Sequence, residues 1–300
     1  MKVAIVLNGI SNRKRFFYRS VFPELKRAFD LSVFETTYAA HAYALAEEAA
    51  INHQYVLAAG GDGTLHQCVN GVMRAAHPDR KLPAVGIIPL GTGNDFARLC
   101  GIKPDAAQII ELIRHGQPRA TDLGMITCLD KTGQPVHRYF INVCSLGMGP
   151  EVVRRLEGDS RGLGPKLTYL KAIVSTFFTH RPQVVQVSSS EWSWEGKARV
   201  IGIANGRTFG NGLCIAPDAF LDDGRFSTFI AGELPLIRFL YYLQKIKRCA
   251  RIVDPLIEYN AAETINLTAP AVCAMEAEGE FVGFLPAKVS VQARSIRVLR

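Results

Sequence analysis

Long apolar runs are missing. No stretch of the 300-residue chain approaches the roughly 20 uninterrupted apolar residues of a spanning helix, which excludes a helical membrane-embedded protein. Metal-type cysteine spacing is missing too. The seven cysteines (68, 100, 128, 144, 214, 249 and 273) form no CxxC pair and no Cys/His cluster of zinc spacing. Odd in number and far apart, they fit a reduced, cytoplasmic chain in which cysteine serves mostly as a small core hydrophobe. The opening Met1–Asn8 lacks both the long apolar run and the small-residue cleavage site of a signal peptide. There is no low-complexity linker and no internal repeat. Acidic residues are in deficit. Against 35 Lys plus Arg stand 27 Asp plus Glu, a formal charge of +8, which favours nucleic acid, a nucleotide phosphate or an acidic membrane surface as partner. No recognition motif supports nucleic acid, so that partner is set aside. What is present is ordinary globular composition, 48% hydrophobic and 21% charged, which excludes disorder. The length points to about two domains.

Val3–Leu7 is a short apolar run closed by Asn8-Gly9 and reads as a buried strand and turn. Tyr55–Ala59, cut off by Gly60-Gly61, and Ala84–Pro89, cut off by Gly91, repeat the pattern. Helices are expected over 23–29, 38–50, 64–76, 94–100 and 105–115. Strand–loop–helix repetition means a parallel sheet with helices on its faces. Beyond about Gly124 the texture changes to short β-rich runs: Tyr139–Val143, Val184–Ser188, Ala198–Ala204, Phe226–Ile230, Thr264–Leu267 and Lys288–Val291. Helical segments at 166–178 and 234–248 interrupt them. The expected architecture is an α/β domain over 1–124 and a mainly antiparallel, β-rich domain over 125–300. The final dozen residues could return to the first domain.

The strongest motif is Gly60-Gly61-Asp62-Gly63-Thr64, set between a strand and a helix. Three glycines in four positions let a ligand approach the backbone, and exposed N–H groups at a helix start favour a phosphate. Asp62 is poorly placed to bind phosphate itself; it suits Mg²⁺ or the orientation of neighbouring groups. Thr64 and Gln67 form a T-x-x-Q capping box. A second loop, Pro89-Leu90-Gly91-Thr92-Gly93-Asn94-Asp95-Phe96, also follows a strand. Two such loops at the carboxyl ends of parallel strands form one crevice.

Together these loops resemble the diacylglycerol-kinase catalytic-domain family, and the chain as a whole is similar to the soluble bacterial lipid kinases of that family. Tyr139–Gly147 resembles the family's strand entering the second domain. Asn205-Gly206 followed by Ala216-Pro217-Asp218-Ala219-Phe220-Leu221-Asp222-Asp223-Gly224 resembles its N-G…P-x-A-x-x-D-D-G segment. Glu278-Gly279-Glu280 stands where the family usually has Asp-Gly-Glu. The resemblance implies ATP-dependent transfer of phosphate to the hydroxyl of diacylglycerol or a related lipid, with ATP and Mg²⁺ as cofactors. It also implies a nucleotide site on the first domain and a lipid cleft between the two. Such transfer needs positioning and charge neutralisation, with one carboxylate to take the hydroxyl proton.

Residue by residue, the resemblance puts Glu278 at the general base and turns Asp62 and Asp95 toward phosphates and metal. Asn8, Ser11, Gly60, Gly61, Gly63, Thr64, Gly91, Thr92, Gly93 and Asn94 would hold the nucleotide. Asp222 and Asp223 match a structural Mg²⁺ position, with an exposed turn as the alternative. There are departures. Glu278 is one methylene longer than the family's Asp, so Glu276 or Glu280 could serve as base instead. The family's N-P-x-S-G turn reads Asn8-Gly9-Ile10-Ser11-Asn12, and Arg13, Lys14 and Arg15 follow, either to neutralise phosphate or as a solvated loop. The helix after GGDGT-L has His66-Gln67 in place of Asn-Glu.

Two apolar segments bear on lipid access. Leu167, Tyr169, Leu170, Ile173, Val174, Phe177 and Phe178 form one. Leu236, Ile237 and Phe239–Leu243 form the other, followed by Lys245, Lys247, Arg248 and Arg251. They fit either core helices or transient peripheral contact with an anionic membrane. Two other functions remain open. One is an NAD-kinase-like small-molecule kinase, against which the second glycine loop argues. The other is a nucleotide- or lipid-binding regulator with impaired catalysis.

Overall fold

The computed structural model describes residues 1–158 and 165–300. The chain divides into two compact units, Met1–Asp122 with Arg294–Arg300, and Leu123–Ala293.

Unit 1 holds strands β1 (Lys2–Leu7), β2 (Asp30–Glu35), β3 (Tyr55–Gly60) and β4 (Ala84–Pro89). Its helices are α1 (Lys14–Phe16), α2 (Phe22–Ala28), α3 (His41–Asn52), α4 (Asp62–Arg74), α5 (Asp95–Leu99) and α6 (Ala106–Arg114), with a π-helical turn at Phe17–Val21. The strands pair in parallel in the order β4–β3–β1–β2. The strands β1, β3 and β4 are buried on both faces, as continuous apolar runs require. One face packs Val3, Ile5 and Leu7 against Phe17, Leu25, Ile109 and Ile113. On the other, α3 and α4 lie so close that a Cβ on Gly71 would sit 2.3 Å from the Tyr43 carbonyl oxygen. Chain order reverses between β1 and β3, so the loops after β1, β3 and β4 gather at the carboxyl ends, the ordinary ligand position of such sheets.

Strands β5 (Arg119–Leu129), β6 (Pro135–Phe140) and β7 (Val143–Gly147) lead into unit 2, followed by helices α7 (Met148–Gly158) and α8 (Pro165–Thr179). Then come β8 (Gln183–Ser188), β9 (Ser193–Ala198), β10 (Val200–Ala204), β11 (Thr208–Phe209), β12 (Leu213–Cys214) and β13 (Phe226–Ala231). Helix α9 (Leu236–Lys247) precedes β14 (Ile257–Ala262), β15 (Thr264–Thr268), β16 (Ala274–Ala277) and the long β17 (Glu280–Val298). An antiparallel run orders β14–β13–β10–β7–β16–β17. One apolar core joins Leu146, Ile201, Phe226 and Met275 to Val185, Ile265 and Val289. A second packs Val143 and Phe229 against Val152, Ile173, Leu243 and Ile246 of the three helices. The end of β17 belongs to unit 1, where Val298 pairs in parallel with Val85 and the Arg294 N–H donates to Asp122 Oδ1 at 2.7 Å.

Several expectations are corrected. Tyr139–Val143 is not one strand, because β6 ends at Phe140 and β7 begins at Val143. Ala198–Ala204 is likewise divided at Arg199 between β9 and β10. The chain is not fully reduced: Cys214 and Cys249 form a disulfide, their Cα atoms brought to 4.8 Å where α9 ends beside β12. The other five cysteines are free, and four of them are buried. Among the described residues no helix is long and apolar enough to cross a membrane.

Candidate active site

In unit 1, Gly61 in extended backbone takes the N-cap position of α4, and the helix starts at Asp62. Thr64 therefore lies inside the first turn, and the expected Thr64/Gln67 capping box does not form. Its place explains Gly60, where a Cβ would lie 2.2 Å from Thr64 Oγ1. The first intrahelical bond is Leu65 N–H to Gly61 O, 3.1 Å, so the N–H groups of Asp62, Gly63 and Thr64 precede the helical ladder.

Asp62 reaches across to the second glycine loop. Its Oδ2 accepts the Asp95 N–H at 3.0 Å and its Oδ1 the Phe96 N–H at 3.1 Å. That is the orienting role open to it, and it starts α5 from outside the helix. Gly91 and Leu90 N–H both donate to Gly60 O, at 3.1 and 2.8 Å. A Cβ on Gly91 would fall 2.4 Å from Gly61 Cα, so no side chain fits there. Asn94 adopts a left-handed conformation (φ 52°), and its amide folds back on Gly91 through N–H to Oδ1 (3.1 Å) and Nδ2 to the carbonyl (2.8 Å). Gly93 faces both carboxylates, its ideal Cβ being 3.0 Å from Asp62 Oδ2 and 3.6 Å from Asp95 Oδ2. Asp95 is buried, with Arg98 3.7 Å away, and Thr92 is exposed.

The loop after β1 joins the same edge. Asn8 N–H donates to Ala59 O at 2.9 Å, and Ser11 Oγ donates to Leu90 O at 3.4 Å. Gly9, where the family pattern has proline, donates its N–H to Thr36 Oγ1 at 3.0 Å, which a proline could not do. Lys14 pairs with Glu35, and the Arg13 guanidinium lies 4.8 Å from the Phe16 ring centroid. Ser11, Asn12, Lys14, Arg15, Tyr18 and Arg19 line a cavity of about 550 Å³.

The narrow glycine loops, with backbone donors at the start of a 13-residue helix, fit a nucleotide phosphate chain. The carboxylates at Gly93 are donors suited to a hard cation. Both Asp62 oxygens already accept N–H bonds, however. Among the described residues no group of three or more His, Cys, Asp or Glu side chains forms a metal site of its own. These residues thus fit an ion brought in with the phosphates.

In unit 2, Ala277 pairs with Glu280 across the two-residue turn Glu278-Gly279, with φ of 56° and 84°. That is the signature of a type I′ hairpin, which favours Asn-Gly or Asp-Gly. Glu278 Oε1 accepts the N–H groups of Ile141 and Asn142, each at 2.7 Å, and its own N–H donates to Val143 O at 3.1 Å. The break between β6 and β7 is what turns those N–H groups toward the carboxylate. Asn205 supports the break through Nδ2 to Ile141 O and N–H to Asn142 O, both 2.8 Å. Asn142 Nδ2 donates to Thr208 O at 2.6 Å.

Glu276 is 2% exposed; it accepts from the Ser145 hydroxyl, and its Oε2 accepts the Gly279 N–H at 2.9 Å. It braces the turn from below. The nearby Cys144 thiol is held well above its ordinary value, first by burial and then by the charges of Glu276 and Glu278. Asp222 and Asp223 lie on an exposed turn, where Asp223 Oδ1 accepts the Arg225 N–H at 3.1 Å. Sequence reasoning missed the supporting parts played by Asn142, Asn205, Ser145 and Glu276, although the Tyr139–Gly147 segment, the Asn205-Gly206 pair and Glu276 as a rival base had each carried a signal.

Comparison with known proteins assigns a family to each part of the chain. Residues 2–126 match the family described as diacylglycerol kinase catalytic domain, and residues 142–300 the family described as YegS C-terminal NAD kinase beta sandwich-like domain. A protein of Bacillus subtilis (strain 168) named "Diacylglycerol kinase" is 28% identical, over 99% of this chain and 96% of its own. A Yersinia enterocolitica protein named "Probable lipid kinase YegS-like" is 30% identical, over 73% of this chain and 72% of its own. A crystal structure of a diacylglycerol kinase from Bacillus anthracis str. Sterne shares the fold with a TM-score of 0.72 at 20% identity, covering 99% of this chain and 96% of that one. A parallel α/β unit with paired glycine loops, followed by a β-rich unit, defines a two-domain kinase. The chain belongs to the lipid kinase family of diacylglycerol kinase and YegS.

Proposed function

We propose that the protein transfers the γ-phosphate of ATP to the hydroxyl of a lipid, diacylglycerol or a close relative, with Mg²⁺ as cofactor. The observation that carries this reading is Asp62 holding the Asp95 and Phe96 N–H groups, which ties the two glycine loops together. The N–H groups at the start of α4 would receive phosphate oxygens, and Asn94 keeps the Gly91 turn in shape for them. Magnesium, when bound, supplies positive charge against the phosphates; Asp95 and Asp62 are the carboxylates that would hold it. Glu278 would accept the proton of the lipid hydroxyl, its carboxylate positioned by Ile141 and Asn142. Glu276 is enclosed and serves as a brace. A second cation at Asp222 and Asp223 is the finer part of the proposal; loss of Mg²⁺-dependent stabilisation in Asp222→Asn/Asp223→Asn would support it.

The relatives named above support a lipid kinase, and the +8 charge suits both nucleotide and anionic lipid. The acceptor would be drawn from the membrane. The test is labelled ATP with a panel of diacylglycerol, a sphingoid base, phosphatidylglycerol and a long-chain alcohol. Labelled lipid supports the proposal and names the acceptor; labelled NAD in a parallel sample would replace it with a small-molecule kinase. A binding-only role is the second reading, because Glu278 holds a left-handed conformation with its carboxylate tied to backbone. ATP binding without any labelled product would establish it.

A further inference from the structure

Helix α9 buries only one of its faces. Tyr242, Leu243 and Ile246 enter the core shared with α8 and β13. The other face presents Ile237 (83% exposed), Leu240 and Tyr241 (58%) to solvent. The following turn adds Val253, 91% exposed, and Leu256. These tips belong together: Arg238 pairs with Asp254 at 3.5 Å, and Tyr242 Oη donates to the same carboxylate at 2.6 Å, so the 252–256 turn sits beside the first turns of α9. Exposed aliphatics of this size, adjacent to one another, mark an interaction surface.

Charge selects the occupant. The sequence of α9 contains no Asp or Glu, while Arg238, Lys245 and Lys247 lie on it and Arg248 follows. Of the nearby acids, Asp254 pairs with Arg238, Asp218 with Arg251 and Glu233 with Lys197, while Glu258 is exposed. Lys247 and Arg248 are exposed, and the Lys245 ammonium lies 5.2 Å from the Tyr241 ring centroid. Apolar tips, an interfacial tyrosine and cations on one short helix match the headgroup layer of an anionic bilayer.

We propose that the Ile237–Tyr241–Val253 face of α9 and its following turn docks this protein on membranes rich in anionic phospholipid. This deepens the lipid-kinase reading by naming the surface through which the chain meets its acceptor's bilayer. The test needs no turnover, so it can fail separately from that reading. The full chain is floated with vesicles of phosphatidylcholine alone and of phosphatidylcholine mixed with phosphatidylglycerol. Binding is expected to the mixed vesicles and to weaken with salt. The triple variant Lys245→Gln/Lys247→Gln/Arg248→Gln should bind about a hundredfold more weakly, at about fivefold per charge lost. Ile237→Ser/Val253→Ser should bind at least about tenfold more weakly, since both side chains would lose their burial in lipid. Both variants alter surface side chains, all exposed except the half-buried Lys245, and unchanged melting temperatures show that they fold. Parent-like vesicle binding by both variants, no binding by the parent, or equal binding to neutral vesicles would overturn the proposal. So would a change in self-association, read by sedimentation, with vesicle binding unaltered, because the face would then be an interface between copies.

Discussion

Glu278 Oε1 accepts the backbone N–H of Asn142 at 2.7 Å, across 136 residues of sequence. The carboxylate crosses from a hairpin tip to the break between two other strands, and Ile141 donates to the same oxygen. A glutamate in a left-handed turn is unfavourable by about 1 kcal/mol or somewhat more. Two charge-assisted hydrogen bonds offset that. Glu278, one methylene longer than the family's Asp, meets both N–H groups with a single oxygen.

Glu278→Gln keeps the size and the accepting oxygen but removes basicity. Its turnover should fall about 10²- to 10⁴-fold with little change in melting temperature. Glu278→Asp suits the type I′ turn better yet draws the carboxylate back by about 1.5 Å, away from the Ile141 and Asn142 N–H groups. It should be no more stable than the parent and about 10²-fold slower. Undiminished turnover in the Gln variant would move the base elsewhere.

Asp62→Ala leaves the Asp95 and Phe96 N–H groups without their acceptor, a loss of about 1–3 kcal/mol confined to the loop pair. The variant should fold, with a melting temperature lower by a few degrees, and transfer should drop beyond detection. Stabilisation by added nucleotide should shrink with it. Gly91→Ala, whose Cβ would meet Gly61 Cα at 2.4 Å, should produce the same loss from the opposite side. Parent-like activity in Asp62→Ala would remove the cradle from the mechanism.

The Cys214–Cys249 disulfide closes a loop with a sequence separation of 35 residues. On the chain-entropy estimate such a crosslink contributes about 3–4 kcal/mol. For a chain of this size that corresponds to about 10 °C in melting temperature. A reducing agent should lower the parent's transition by that order and leave Cys249→Ser unmoved. Identical melting with and without reductant would show that the pair is open in solution.

His180 is held below its ordinary value of 6.5, first by burial and then by the nearby Arg199 charge, with Glu151 opposing. The folded state thus favours the neutral ring, while the unfolded chain takes up a proton near pH 6.5. Its contribution is fully present above that pH and is lost as pH falls toward the depressed folded value. Denaturation midpoints measured from about pH 5 to 8 should decline on the acid side, and His180→Asn should flatten part of that decline. An unaltered profile in the variant would assign the acid sensitivity to other groups.

The strands β1, β3 and β4 were legible because each is a short apolar run ending in glycine or in a glycine-bearing loop. Strand β2 was not, because Asp30, Ser32 and Glu35 give an edge strand no apolar signal. Helix α7 begins directly after β7 across Gly147, Gly149 and Pro150, residues that read as a turn, and went unread. The glycine loops announced two tight turns at strand ends, but nothing local shows that Asp62 holds residues 33 and 34 positions away. The break at Ile141–Asn142 was invisible for the same reason: what it serves is a side chain 137 and 136 residues further on. Glu276 read as a rival base, and only its burial shows it to be a brace. The disulfide depends on α9 packing beside β12, which spacing alone does not reveal.

The most direct test is transfer of labelled γ-phosphate from Mg²⁺-ATP to diacylglycerol in mixed micelles, run with the parent, Asp62→Ala and Glu278→Gln side by side. Labelled phospholipid from the parent and none above background from either variant is the predicted result. Equal label from all three, or no labelled lipid from a parent shown to bind ATP, would contradict it.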